Sequence, residues 1–153
     1  MMNAIELLTK DHRVVDEMFE QAESSDGTAP AELFLEIKAE LEAHAHIEES
    51  IFYPALQADG DEELIELTSE ALKEHAQMKV FLGELDAVQS DSDKFEALLT
   101  KLIEDVRHHV EEEEGEMFPM VTDQFDDDAL ETLGLQMQAE KDRFQTSTES
   151  AHA

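Results

Sequence analysis

The sequence predicts an all-α fold: an up-down-up-down four-helix bundle followed by a short fifth C-terminal helix. Three observations predict it. The 153 residues include only 5 Gly and 3 Pro, so the chain forms few, long elements rather than many strands joined by turns. Apolar residues recur at the spacing of one helix face in four long stretches. The breaks between these stretches are short, which makes consecutive helices antiparallel neighbours.

Ile5, Leu8, Val15 and Phe19 form the first stripe. Ser24-Ser25-Asp26-Gly27 ends it, and Pro30 suits the first turn of the next helix. Phe34, Ile37, Leu41 and Ile51 form the second stripe, closed by Asp59-Gly60-Asp61. Leu64, Ala71, Met78, Leu82 and Leu85 form the third, and Ser90-Asp91-Ser92-Asp93 then offers several N-cap candidates. Phe95, Leu98, Leu102, Val106 and Met117 form the fourth. Pro54 and Pro119 fall near helix ends and are expected to kink or terminate their helices. A weaker stripe of Leu130, Leu133, Met137 and Phe144 reads as the fifth helix, packing on the bundle or mediating association. The expected layout is a bundle over residues 1–123, an accessory helix over 124–146 and a disordered tail over 147–153.

Composition removes several function classes. Cys is absent, so disulfides, thiolate metal sites and Cys catalysis are excluded. No apolar run approaches the length a membrane span needs. Met1 to Lys10 lacks the basic start and apolar stretch of an export signal, which makes the cytoplasm the expected compartment. The net charge of −30 comes from 40 acidic and 10 basic residues. Such a surface repels nucleic acid and anionic lipid, so neither is an expected partner.

Each of the four main stripes is interrupted by one histidine: His12, His44, His75 and His109. At ~1.5 Å rise per residue, all four lie about 22–26 Å from their connecting loops, so antiparallel helices bring them to one layer. Glu48 and Glu113 follow His44 and His109 by one helical turn and share their face. A lone core histidine is ordinarily a hydrogen-bonded core residue. Four imidazoles and two carboxylates buried together are costly, and metal binding removes that cost by using neutral imidazole with ionised carboxylate. Six ligands are too many for one tetrahedral zinc, and two carboxylate-bridged octahedral ions suit them better. Nitrogen and oxygen donors without sulfur fit iron or manganese.

The same residues lie in an internal repeat. His44-Ala-His-Ile-Glu48-Glu49-Ser-Ile-Phe-Tyr53-Pro54 aligns without gaps on His109-Val-Glu-Glu-Glu113-Glu114-Gly-Glu-Met-Phe118-Pro119. Asp11-His12 and Glu74-His75 echo each other likewise.

Asp-His12, His44-x-x-x-Glu48, Glu-His75 and His109-x-x-x-Glu113, with the Phe/Tyr-Pro endings, resemble the hemerythrin-like family of HHE cation-binding domains over roughly Ile5 to Val121. The resemblance implies two Fe ions, one on His12 and His44 and the other on His75 and His109. It further implies bridging by Glu48 and Glu113 and by an oxo or hydroxo group. Oxygen-carrying members have a further histidine where this chain has Lys79, whose protonated amine cannot ligate. They also have Asp at five-residue spacing in place of Glu113.

Tyr53 and Lys79 are therefore the candidate additions to the six ligands. Tyr53 is read as packing or as an extra ligand. Lys79 is read as pointing outward or as donating to an oxygen at the site. Glu40, Asp105 and Asp16, each one turn from a ligand histidine, read as solvated helix surface, or else as holding a ring N–H. Glu49 and Glu114 read as surface or as a carboxylate switch at the site, His46 and His108 as facing elsewhere. Val15, Ile51, Met78 and Val106 are expected to wall the site.

The expected function is binding or sensing of a small diatomic ligand, dioxygen or nitric oxide, at a non-haem two-iron site. The alternative is a diiron enzyme acting on peroxide, nitric oxide or ferrous iron. A metal-free structural bundle is the third reading. A redox or signalling partner protein fits the first two, and the oligomeric state stays open.

Overall fold

A computed structural model of the chain describes residues 2–24, 30–88 and 92–152, and among these there is no strand. α1 (Ala4–Ser24) starts at a reciprocal cap: the Glu6 amide donates to Asn3 Oδ1 at 2.9 Å, and the Asn3 amide to Glu6 Oε1 at 3.2 Å. α2 (Pro30–Ile47) runs through a π-turn, Glu48–Phe52, into α3 (Tyr53–Asp59). α4 (Glu62–Ala87) is capped by Asp61, whose side chain accepts from the Leu64 amide at 2.9 Å. α5 (Asp93–Glu112), capped by Ser92, passes through a second π-turn, Glu113–Met117, into α6 (Phe118–Gln124). Four rods result: α1, α2–α3, α4 and α5–α6. The fifth helix, α7 (Asp127–His152), lies against α1 and α2.

α7 runs 26 residues to His152, where the sequence expects a shorter helix and a tail from residue 147. Pro54 and Pro119 do not end their rods; each sits just after a π-turn, in the first turn of the helix that continues the rod. Proline has no N–H to give the carbonyl four residues back, so the local ladder shifts to five-residue bonds. The Tyr53 amide donates to the Glu48 carbonyl and the Phe118 amide to the Glu113 carbonyl. In a regular α-helix a residue five positions on is rotated by about 140°. The wider turn cancels much of that rotation and returns Tyr53 and Phe118 to the inner face. The predicted breaks at Ser25–Gly27 and Ser90–Asp91 lie outside the described residues.

The interior has two apolar clusters. One, toward the α4–α5 connection, includes Phe19, Phe34, Ile37, Leu82, Leu85, Phe95 and Leu102. The other, toward the π-turns, includes Leu8, Phe52, Tyr53, Leu56, Leu64, Phe118, Val121, Leu130 and Met137. α7 completes the second cluster with Leu130 and Met137. It crosses the start of α1 at Gly134, where a Cβ would stand 2.5 Å from the Met2 carbonyl, so only glycine allows that approach. No described helix is long and apolar enough to cross a membrane.

Candidate metal centre

Between the two apolar clusters lies a polar layer built as the stripes predict. His12, His44, His75, His109, Glu48 and Glu113 are all buried, and the two carboxylates have at most 1% of their surface exposed. The histidines form two edge-on pairs, His12 with His44 at 4.9 Å between ring centroids and His75 with His109 at 5.0 Å.

The carboxylates join the pairs. Glu48 Oε1 lies 3.2 Å from His44 Nε2 and 3.1 Å from His75 Nε2. Glu113 puts Oε1 3.1 Å from His12 Nε2 and Oε2 3.5 Å from His109 Nε2. Two ligand clusters emerge, His12–His44–Glu113 and Glu48–His75–His109. His44 Nε2 and both Glu48 oxygens are buried without a hydrogen bond. The short His44–Glu48 distance lacks hydrogen-bond alignment, so these lone pairs converge on a common space instead. Buried polar atoms are ordinarily paired, and three orphans at one point fit a cation between them.

Every ring is held from behind by a carboxylate. His12 Nδ1 meets Glu114 at 2.7 Å, His44 Nδ1 meets Asp11 at 3.0 Å, His75 Nδ1 meets Glu49 at 2.8 Å and His109 Nδ1 meets Glu74 at 2.6 Å. With Nδ1 turned outward to these carboxylates, each Nε2 faces the centre, the orientation that metal ligation requires.

These acids, rather than Glu40, Asp105 and Asp16, hold the rings. Asp16 pairs with Arg107 at 2.8 Å, Glu40 pairs with Lys141 at 3.0 Å, and Asp105 lies exposed at the cavity rim. Glu49 and Glu114 are not idle surface. The repeat carried the missed signal, because each outer acid stands beside a candidate ligand in sequence: Asp11-His12, Glu74-His75, Glu48-Glu49 and Glu113-Glu114.

The two additional candidates separate. Tyr53 is buried at the layer, donating to Glu113 Oε2 at 2.5 Å and lying 3.4 and 3.5 Å from His75 and His109 Nε2. Burial and the charges of Glu113 and Glu48 push its phenol well above the usual range, so it stays a neutral donor. Lys79 does not reach the centre. Its exposed amine donates to Glu49 at 2.7 Å, which in turn holds His75. His46 does face elsewhere, meeting Glu140 at 3.0 Å and stacking on Phe144. His108 pairs with Glu112 at 2.8 Å on the surface.

Electrostatics matches the geometry. Burial disfavours the imidazolium of His44, yet Glu48 and Asp11 carry it up to about 10. His75 and His109 are raised likewise against burial, by Glu48 and Glu49 and by Glu113 and Glu74. Burial opposes ionisation of Glu113, but His109 and its hydrogen-bond partners hold it well below the usual carboxylate range. The layer thus concentrates negative charge that attracts protons or a metal.

One cavity of about 190 Å³ adjoins the histidines on the side away from Tyr53. Val15, Leu41, Ala45, Met78, Val106 and Val110 line it, with exposed Gln77, Asp105 and His108 at its rim. Val15, Met78 and Val106 wall the site as expected; Ile51 does not line the cavity.

A helical bundle with a buried histidine–carboxylate layer is the class this architecture defines. The family model "Hemerythrin HHE cation binding domain" matches residues 3–121, so the chain belongs to that family. A crystal structure of a hemerythrin HHE cation-binding domain-containing protein from Mycobacterium kansasii superposes with a TM-score of 0.82 at 29% identity, covering 96% of this chain and 90% of that one. A DNA nickase of Nostoc sp. strain PCC 7120 is 28% identical over 148 residues, 94% of this chain. The chain spans only 40% of that relative's length.

Proposed function

We propose that the chain is a cytoplasmic non-haem diiron protein that binds or senses a small diatomic ligand, dioxygen or nitric oxide. His12 and His44 would hold one ion and His75 and His109 the other, with Glu48 and Glu113 spanning them. The observation that carries this reading is the orphaned trio His44 Nε2, Glu48 Oε1 and Glu48 Oε2, buried between two histidine pairs. Bound iron supplies one-electron redox chemistry and open coordination positions. The chain supplies orientation through the four outer acids. It also supplies an apolar chamber that admits a small uncharged molecule and disfavours ions.

Tyr53 favours a second reading, a diiron enzyme consuming peroxide. A neutral phenol hydroxyl beside the ligands is positioned to give a proton during reduction of an oxygen species. The DNA nickase relationship adds no third reading, because only part of that protein is matched and the charge of −30 opposes DNA.

Metal analysis after expression with ample iron tests the site. Less than about one iron per chain, or full loading of a His75→Ala, His109→Ala double variant, overturns it. Optical spectra of the reduced protein exposed to dioxygen, nitric oxide and peroxide then separate the two readings. A stable adduct that reverts on removal of the gas supports binding. Multiple turnovers of peroxide support the enzyme.

A further inference from the structure

α7 reaches the metal centre as well as covering an apolar face. The Lys141 side chain is only 13% exposed and its amine points into the bundle. It donates to Asp11 Oδ1 at 2.7 Å and to Glu40 Oε1 at 3.0 Å. Asp11 is itself buried, and its second oxygen accepts His44 Nδ1–H at 3.0 Å. An unbroken line of hydrogen bonds therefore runs from α7 through α1 to a candidate ligand on α2. A buried carboxylate is costly without a cation, and here the cation comes from α7. The matching acid in the second half of the chain, Glu74, instead neighbours His108 and Glu112.

We propose that Lys141 is a positioning residue for His44. Through it, docking of α7 and retention of metal by the His12–His44 pair are linked. The inference rests on the metal-binding reading above. Losing the partner that orients a metal-bound histidine costs about 10–100-fold in metal affinity. Linkage is reciprocal, so the factor by which docked α7 strengthens metal binding is the factor by which metal strengthens docking.

The test uses the full chain, wild type and Lys141→Met, loaded anaerobically with ferrous iron or stripped with a chelator. Iron content and hydrogen exchange of α7 amides are measured on the same samples. Wild-type loading should slow exchange in α7. Lys141→Met should release one of its two ions to a competing chelator about tenfold more readily, and its α7 exchange should no longer respond to iron. Lys141→Arg, which keeps the charge, should restore both properties. Iron uptake with no change in wild-type α7 exchange overturns this inference alone, as does a full response in Lys141→Met. Absence of iron uptake by the wild type overturns the metal reading and this inference with it. Should Lys141→Met not fold, the wild-type comparison of loaded and stripped chain decides by itself.

Discussion

The two halves of the repeat, α1 to α3 and α4 to α6, build nearly the same object and then exchange parts of it. Each half supplies two histidines, one inner carboxylate, two outer acids and an aromatic after its π-turn. Asp11 holds His44 and Glu74 holds His109 within their own halves. The π-turn acids cross over: Glu49 holds His75 and Glu114 holds His12. The aromatics cross as well, Tyr53 packing on His75 at 5.3 Å and Phe118 stacking on His12 at 5.9 Å. Neither half contains all the candidate ligands and the acids that hold them, so the candidate site is complete only where the halves meet. The symmetry ends at three places. Tyr53 carries a hydroxyl that Phe118 lacks, Glu49 has Lys79 while Glu114 is 40% exposed, and α7 packs mainly on the first half.

The largest effect should come from the symmetric core. Glu48→Ala and Glu113→Ala should each lower metal content to about one ion or fewer per chain, because each carboxylate serves both histidine pairs. Metal analysis checks this, and retention of both ions by either variant would break the crossed arrangement. The outer acids come next. Glu49→Gln should weaken metal retention by about 10–100-fold, and Glu114→Gln by less, since water already reaches Glu114. Chelator competition ranks the two, and equal losses would show that Lys79 adds nothing. Exchanging the aromatics should have a smaller effect. Tyr53→Phe removes a hydrogen bond to a charged group, worth about 1.5–3 kcal/mol, and should shift the optical spectrum of the loaded protein. Phe118→Tyr added to it should not restore the original spectrum, because its hydroxyl would approach from the other side.

The smallest effect is the pH dependence of the stripped chain, read as thermal midpoint. His44 is raised from 6.5 to about 10. Its contribution is fully present below pH 6.5 and is lost as pH rises through about 10. Glu49 is lowered from 4.5 to about 2, chiefly by its bond to His75. That contribution is present above pH 4.5 and is lost as pH falls through about 2. The midpoint should therefore fall at both extremes. In the loaded chain the alkaline fall should shrink, because the metal replaces the proton on His44.

Much of this was legible in the sequence. Stripe spacing and loop positions gave the four rods, and the same arithmetic brought four histidines to one level. Helical periodicity also placed Glu48 and Glu113. It did not find the outer acids, because the alternatives it offers lie one turn away on the same helix: Glu40, Asp105 and Asp16. A ring whose Nε2 faces the centre turns Nδ1 toward the gap between helices, where the acids beside the ligands of neighbouring helices stand. In a chain with 40 acidic residues, Glu49 and Glu114 look like any solvated surface. Tyr53 stayed ambiguous because regular helical phase does not bring it inward. α7 was underrated because its last apolar position, Phe144, packs on His46 rather than in the core, and the stripe says nothing of Lys141.

Each π-turn is equivalent to one surplus residue in an otherwise regular rod. The surplus leaves His44 and Glu48 untouched and resets the phase of everything after them. Deleting Ser50, which sits in the first π-turn, would return α3 to ordinary phase and swing Tyr53 away from Glu113. The chain thus sets its candidate ligands before each shift of phase, and Tyr53 and Phe118 after it. A single insertion or deletion can re-aim the floor of the site while its walls stand, a short evolutionary step between sites that share ligands and differ in chemistry.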